Sequence, residues 1–135
     1  MSNIIKISEA ASLGLHAMLV LAQEPKKMFS GNEISKRLHA SEAHLARVLG
    51  QLAKVGLVHS TRGPHGGYLL GKPADEISLL DIYQAIEGPL VEINCLLAKP
   101  VCKNGQCVFG GLIHNINHQV AEHLANTKLS SQQVS

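Results

Sequence analysis

Three cysteines in the last third of the chain are the side chains best suited to bind a soft metal. They are Cys95, Cys102 and Cys107, within 13 residues of irregular sequence that also holds Pro100 and Gly105. Thiolates are the ligands that zinc and iron–sulphur clusters take. Structural zinc sites favour close-spaced cysteine pairs, so the absence of a Cys-x-x-Cys motif weakens the zinc interpretation. The remaining alternative is three buried or tolerated thiols without a metal.

Three cysteines leave a four-ligand site one ligand short. A His, Asp, Glu or water, or a residue of a second subunit, would have to complete it. His16 lies in an otherwise apolar predicted helix, either as a hydrogen-bonded buried histidine or as a ligand to a cluster in the dimer mate. His114 and His118 have the four-residue spacing of a two-histidine metal site, but we interpret them as solvated or interfacial side chains.

A second group of side chains is suited to contact nucleic acid. Arg62 and His65 lie in a glycine-rich turn between two β-prone runs, with no acidic residue near them. The predicted helix upstream has one polar side, made of His44, Arg47, Gln51 and Lys54. Arg and Gln can bond base edges, and His and Lys can bond phosphates. The alternative for such a polar side is plain solvation.

Capping and periodicity predict the elements that must position these groups. Serines able to cap helices stand at Ser8, Ser30, Ser41 and Ser78. Helices are therefore predicted over residues 8–23, 30–38, 41–55 and 78–88, with a last helix from residue 108. The runs 57–61 and 68–70 are predicted to pair as a hairpin. Two short helices joined by a tight turn and followed by a basic hairpin are the parts of a winged helix-turn-helix.

The expected fold is mainly α with a small β-hairpin. It comprises a winged helix-turn-helix domain over residues 1–89, a cysteine-bearing sensor loop over 90–107, a dimerisation helix over 108–127 and a disordered tail over 128–135. The dimerisation helix is inferred from an apolar stripe that has little chain left to cover it. The stripe consists of Leu112, Ile113, Ile116, Val120 and Leu124.

Composition narrows the class of protein. The chain has 135 residues, 45% of them hydrophobic, which suits one domain with a core. With no Trp, two Tyr and two Phe, the core must be aliphatic, and binding of single strands by base stacking is disfavoured. No apolar run is long enough to span a membrane and no leader opens the chain, so we expect a cytoplasmic protein. An enzyme with a cysteine nucleophile is disfavoured because no cysteine has a base at a recognisable spacing.

The charge of the chain is unevenly distributed. The formal net charge is +2, yet residues 30–72 hold six cations against two acids, a net +4. Four of the eight histidines lie in the same segment. A local basic patch on a nearly neutral chain suits a protein that binds duplex DNA through one module.

The residues from Val58 to Leu70 resemble the wing of the Rrf family of bacterial winged-helix regulators, whose members include IscR-like, NsrR-like and RsrR-like proteins. The family pattern is Val-x-Ser-x-Arg-Gly-x-x-Gly-Gly-Tyr-x-Leu, and every fixed position is present here. The helix-turn-helix, the helix that ends at Gly88 and the three-cysteine segment follow in the family's order. The resemblance therefore covers nearly the whole chain.

The resemblance implies a homodimer, formed through the last helix, that binds a near-palindromic operator in double-stranded DNA. It implies an iron–sulphur cluster, either [2Fe-2S] or [4Fe-4S], on Cys95, Cys102 and Cys107. It puts Arg62 at the family's minor-groove wing position. The positions that match its major-groove contacts are Ser41, Ala43, His44 and Arg47.

Two departures leave the subfamily open. Gly110 stands where IscR-like members carry a histidine, and Ser12 stands where NsrR-like members carry an aspartate. His16 matches an N-terminal histidine ligand of RsrR-like members, so we expect His16 of the partner subunit as the fourth ligand, with Glu9 and Ser12 as neighbours in reach. The expected function is a regulator that senses redox state, nitric oxide or iron–sulphur status. The alternative is a clusterless regulator that responds to a metabolite or a protein partner.

Overall fold

The computed structural model describes residues 6–90, 97, 99, 101 and 108–132. These residues form five α-helices and one antiparallel hairpin. In chain order they are α1 (Glu9–Gln23), α2 (Gly31–Leu38), α3 (Glu42–Lys54), β1 (Val58–Thr61), β2 (Gly67–Leu70), α4 (Leu79–Glu87) and α5 (Leu112–Asn126). Short 3-10 turns cover Ala74–Glu76 and Leu129–Ser131. No helix in these residues is long and apolar enough to cross a membrane.

All four predicted serine caps are confirmed. The Ser8, Ser30, Ser41 and Ser78 hydroxyls each accept a hydrogen bond from a backbone N–H three residues on, at 3.0–3.1 Å. The carboxylates of Glu33 and Asp81 in turn accept hydrogen bonds from the backbone N–H groups of Ser30 and Ser78, which completes two capping boxes. The helices therefore begin where local sequence predicts. The exception is α5, which begins at Leu112 rather than at residue 108, since residues 108–111 form a turn with Gly110 at φ +60°.

The core is aliphatic, as expected, with one buried aromatic ring. The largest fully buried side chains are those of Phe29 and Met18, a set of Leu, Ile and Val residues from α1, α2, α3 and α4, and Ile77 and Leu129 outside these helices. The first helix packs against α3 and α4. Gly14 allows the close approach of α4, because a Cβ at this position would collide with Ile86.

The hairpin pairs Val58 with Leu70 through to Thr61 with Gly67. Phe29 adds a third strand-like partner that the sequence did not reveal: it exchanges backbone hydrogen bonds with Tyr68 at 2.9 Å and 2.7 Å. A Cβ at Gly67 would collide with the Phe29 carbonyl, and a Cβ at Gly66 would collide with the carbonyl of Thr61. The two glycines of the wing are therefore required by close backbone approach.

The end of the chain is ordered through residue 132, which corrects the expectation of a disordered tail over 128–135. The backbone N–H of Leu79 donates to Thr127, and that of Leu129 donates to Ile77, at 3.0 Å and 2.8 Å. The Leu129 side chain is fully buried in the core. The burial of the Leu129 side chain and the two backbone hydrogen bonds together offset the conformational entropy that is lost when these residues are ordered. Residues 133–135 lie outside the described part.

The apolar stripe of α5 is partly covered by its own subunit. Leu124 is 9% exposed, whereas Leu112 is 49% exposed at the other end of the helix. Ile113, Ile116 and Val120 are half-buried, and α5 packs against α4. The expectation that little of the chain covers this stripe is therefore wrong at its C-terminal end and holds at its N-terminal end.

Candidate nucleic-acid interface

The third helix has one buried and one exposed side. Leu45, Val48, Leu49 and Leu52 face the core, as their period predicts. At 3.6 residues per turn, the middle of the opposite side is formed by the exposed residues Ala43, Ala46, Arg47, Gly50 and Lys54. His44 and Gln51 are half-buried, at the edge of this exposed face. Arg47 is thus the central long side chain of the face.

The turn before α3 sets the direction of that helix. His39 has a left-handed backbone, φ 53° and ψ 43°, the conformation that commonly ends a helix. The exposed Ser41 then caps α3 through the backbone N–H of His44. A side-chain bond from Asn32 Nδ2 to Glu42 Oε1, 2.6 Å long, ties α2 to the first turn of α3. This tie was missed in the sequence, since the two residues stand ten positions apart without a motif.

The tip of the hairpin presents the predicted basic residues to solvent. Arg62 and His65 are both exposed. The turn between them is closed by the backbone N–H of Gly66, which donates to Gly63 at 3.0 Å, and Gly63 has the positive φ of 111° that favours glycine. Within the described residues, neither Arg47 nor Arg62 makes a hydrogen bond or ion pair. Both guanidinium groups are therefore available to an external partner.

Other cations near the second helix are held by intramolecular contacts. Lys27 pairs with Glu33 at 3.3 Å and lies 4.5 Å from the centre of the Phe29 ring. Arg37 lies over the same ring and donates to Gln23. The hydrogen bond from the Ser30 backbone N–H, and then Lys27, lower the pKa of Glu33 below its usual value. These charges stabilise the start of α2 and the end of α1 rather than add to the exposed face of α3.

The predicted cysteine ligands lie outside the described residues. His16 lies inside them, exposed on α1, so within one subunit the buried alternative for it is wrong. Its Nδ1 is 2.7 Å from the carbonyl oxygen of Ser12. A carbonyl only accepts, so Nδ1 is the donor in this hydrogen bond, which is the arrangement usual for a histidine that binds a metal through Nε2. The part of the chain that the structure describes holds no group of three or more His, Cys, Asp or Glu side chains that could bind a metal.

A cleft of about 740 Å³ separates the start of α1 from the helix-turn-helix. His16, Ser12 and Glu9 line one wall, and Ser41 and His44 line the other. The cleft therefore joins the predicted fourth-ligand region to the first turn of α3. It could not be read from the sequence, because its two walls are about 30 residues apart in the chain.

His114 and His118 are exposed and stack on each other, with ring centres 6.3 Å apart. His118 also contacts Glu122, with 3.1 Å between Nε2 and Oε1. Both lie away from the half-buried side of α5, and their interpretation as solvated or interfacial side chains stays a prediction.

Two helices with a left-handed turn between them, followed by a glycine-turned basic hairpin, define a winged-helix DNA-binding protein. A model of the Rrf2 family, described as iron-dependent transcriptional regulators, matches residues 7–132. The chain belongs to the Rrf2 family. It is accordingly a transcriptional regulator and not an enzyme.

Individual relatives agree with this assignment. Two proteins of Neisseria meningitidis, from serogroups A and B and assigned as HTH-type transcriptional regulators, are each 32% identical over 129 residues, which is 94% of this chain and 86% of theirs. The structure is similar to that of CymR, the global cysteine regulator of B. subtilis, with 31% identity, a TM-score of 0.78 and coverage of 95% and 98%. It is also similar to IscR of T. potens, with 25% identity, a TM-score of 0.71 and coverage of 98% and 94%.

Proposed function

We propose that two copies of this chain bind a near-palindromic DNA operator, and that an iron–sulphur cluster on Cys95, Cys102 and Cys107 sets the affinity of that dimer for DNA. The observation that carries the DNA part is the pair of unengaged, exposed arginines, Arg47 on α3 and Arg62 on the wing. A protein that regulates transcription acts on the chromosome, so we place it in the cytoplasm.

The two arginines suit two kinds of readout. Arg47, central on the exposed side of α3, can bond the O6 and N7 atoms of a guanine in the major groove. Ala43 lies on the same face, and Ser41, His44 and Gln51 border it. Arg62 stands on a narrow glycine turn, and an arginine in a narrow minor groove reads groove width and potential more than base identity. His65, exposed on the same turn, would contact the adjacent phosphates.

Exposed apolar side chains support the dimer. Of the eight large hydrophobic side chains that are exposed in the described residues, six lie between residues 90 and 112: Leu90, Leu97, Val101, Val108, Phe109 and Leu112. Exposed apolar side chains that are concentrated in one stretch of the chain favour a contact with another molecule. A second copy, bound around the start of α5, would cover them with an equal surface.

The donor set fits a cluster with one weaker ligand. Three thiolates are soft donors for iron, and an exposed histidine with Nδ1 already bonded offers Nε2 to a neighbouring subunit. We propose His16 of the partner subunit as the fourth ligand, with Glu9 and Ser12 next to it on α1. A bound cluster would supply redox and ligand-exchange chemistry. In this chain, His16 would link that chemistry to the first turn of α3 across their shared cleft.

Anaerobic purification with iron and sulphide analysis tests the cluster, and operator selection from a random DNA pool tests the DNA part. We expect a coloured dimer with stoichiometric iron and sulphide, and an operator with two half-sites about 34 Å apart. Arg47→Ala should relax base preference at one position in each half-site. A loss of affinity that is equal for all DNA sequences would instead show that Arg47 contacts a phosphate.

The second candidate is a clusterless regulator of the same fold that responds to a metabolite or a protein partner. Two observations favour it: the likeness to CymR, which is a regulator of cysteine, and the polar cleft beside the first turn of α3. A small molecule in this cleft would touch α3 directly. A colourless protein without iron after anaerobic purification, which still selects an operator, would favour this candidate.

A further inference from the structure

Gly50 lies in the interior of α3, where glycine is an unfavourable residue. It is exposed, three residues after Arg47 and four before Lys54, in the middle of the outer side of α3. Glycine in a helix interior lowers helix stability relative to alanine, because its unfolded chain has more backbone freedom to lose. A glycine here therefore needs a reason.

The described part of the chain offers no such reason. A Cβ built on Gly50 meets no atom within 4 Å, in contrast to Gly14 and Gly67, where a Cβ would collide with neighbouring atoms. The backbone gives no reason either, since the glycines with positive φ are elsewhere, at Gly56, Gly63, Gly88 and Gly110. Neither packing against the described residues nor backbone conformation requires glycine at position 50.

We infer that Gly50 is a positioning residue for DNA recognition: its missing side chain lets the wall of the major groove approach the backbone of α3. The exposed residue one turn back is Ala46, so the part of the face formed by these two residues, beside the long side chains of Arg47 and Lys54, carries at most a methyl group. A helix that lies closer to the base pairs brings the Arg47 guanidinium within bonding distance of a guanine. The inference rests on the proposed function, in which α3 reads DNA.

Two substitutions of graded size test it. Gly50→Ala should raise the melting temperature by about 2–6 °C, because helix propensity improves. The same change should weaken operator binding about fivefold, and Gly50→Leu should weaken it by about a hundredfold or more, as for side chains forced into a packed contact. Opposite signs in stability and affinity are the expected signature. A purely structural role would move both in the same direction.

The matched control is the reverse exchange at an exposed position of another helix. Ala125 lies on the exposed side of α5, so Ala125→Gly should lower the melting temperature and leave operator affinity unchanged. A second control combines Gly50→Ala with Arg47→Ala. If Gly50 acts by letting Arg47 reach a base, Gly50→Ala should lower operator affinity much less in the Arg47→Ala protein than in the wild type.

Three outcomes would overturn the inference. Gly50→Ala with higher stability and unchanged operator affinity would show that DNA does not approach this point. Gly50→Ala that converts dimers to monomers in sedimentation would assign the glycine to a subunit contact. Wild-type protein that binds no DNA would refute the proposed function and this inference together, whereas the first two outcomes leave operator binding by the wild type intact.

Discussion

At the scale of single residues, the DNA-binding hypothesis depends on two side chains that contribute little to the stability of the fold. Arg47 and Arg62 are exposed and bond no other described residue. Their removal should therefore change binding without changing folding. This separation of effects distinguishes a contact residue from a packing residue.

We expect Arg62→Ala to weaken operator binding by about 1–3 kcal/mol and to leave the melting temperature unchanged. The reason is that the variant loses the attraction between the guanidinium and the negative potential of a narrow minor groove, while no buried contact is lost. Fluorescence anisotropy with labelled operator and a thermal melt measure the two effects. Lys26→Ala, an exposed cation beyond the end of α1, is the control. An Arg62→Ala protein that binds its operator normally would refute the wing assignment.

At the scale of elements, the helix starts depend on side-chain caps and the end of the chain depends on burial. The Ser30 capping box includes the carboxylate of Glu33, whose pKa is lowered by the Ser30 backbone N–H and by Lys27. The C-terminal segment instead depends on Leu129, which the core encloses completely. These two kinds of contact should respond differently to pH and to mutation.

We expect Glu33→Gln to destabilise the protein near neutral pH and to lose that effect in acid. The folded-state pKa lies below the ordinary 4.5, so the stability from the carboxylate is complete above that value and is lost as pH falls through the lower folded value. Glutamine keeps the capping geometry and removes only the charge. Urea unfolding at about pH 7 and about pH 3 measures the difference. An equal destabilisation at both values would contradict an electrostatic role.

We expect Leu129→Ala to lower the free energy of unfolding by about 2–5 kcal/mol, the cost of removing a buried leucine. Denaturant unfolding measures it. Ser130→Ala, at an exposed neighbour, should have little effect. If Leu129→Ala were as mild as the control, the C-terminal segment would not be part of the core.

At the scale of the whole molecule, both the proposed dimer and the proposed cluster require two subunits. The exposed start of α5, with Leu112 at 49% and Phe109 at 47% exposed, is the surface that a second copy would cover. His16 on α1 would then complete a centre formed by the cysteines of the other subunit. Assembly and metal binding can be tested separately.

We expect Ile116→Glu to give folded monomers with poor DNA affinity, since a charge without a partner would be buried in the interface. Sedimentation measures assembly, and circular dichroism establishes that the variant is folded. Gln119→Glu places the same charge on the exposed side of α5 and should leave the dimer intact. If the Ile116→Glu protein remained a dimer, the subunit interface would lie elsewhere on the molecule.

We expect the replacement of any one of Cys95, Cys102 and Cys107 by Ala to abolish cluster binding and to leave a folded dimer, because the core is built from packed aliphatic side chains. Iron and sulphide analysis beside sedimentation measures both. His16→Ala should shorten the lifetime of the cluster in air, and an unaltered spectrum and lifetime would exclude it as the ligand. If all three cysteine variants keep their iron, the sensor hypothesis is wrong.

Local sequence was sufficient for most of the fold. The caps at Ser30 and Ser78, the period of the apolar residues in α3 and the turn glycines Gly63 and Gly66 each act over a few residues, and the structure has them where the sequence predicts. The exposed arginines were predictable for the same reason: their helix and turn were already placed. The ligand roles of the cysteines and of His16 stay predictions.

Contacts between distant segments were decided only by the tertiary structure. The order of the C-terminal segment depends on Ile77 and Leu79, about 50 residues earlier in the chain, and no local pattern marks Leu129 as a core residue. The exposure of His16, and the cleft it shares with α3, depend on how α1 lies across the helix-turn-helix. The open space at Gly50 was also decided by the tertiary structure, because the sequence does not show whether another residue occupies the space that a side chain at this position would take. Local propensities act through adjacent residues, whereas burial depends on the path of the whole chain.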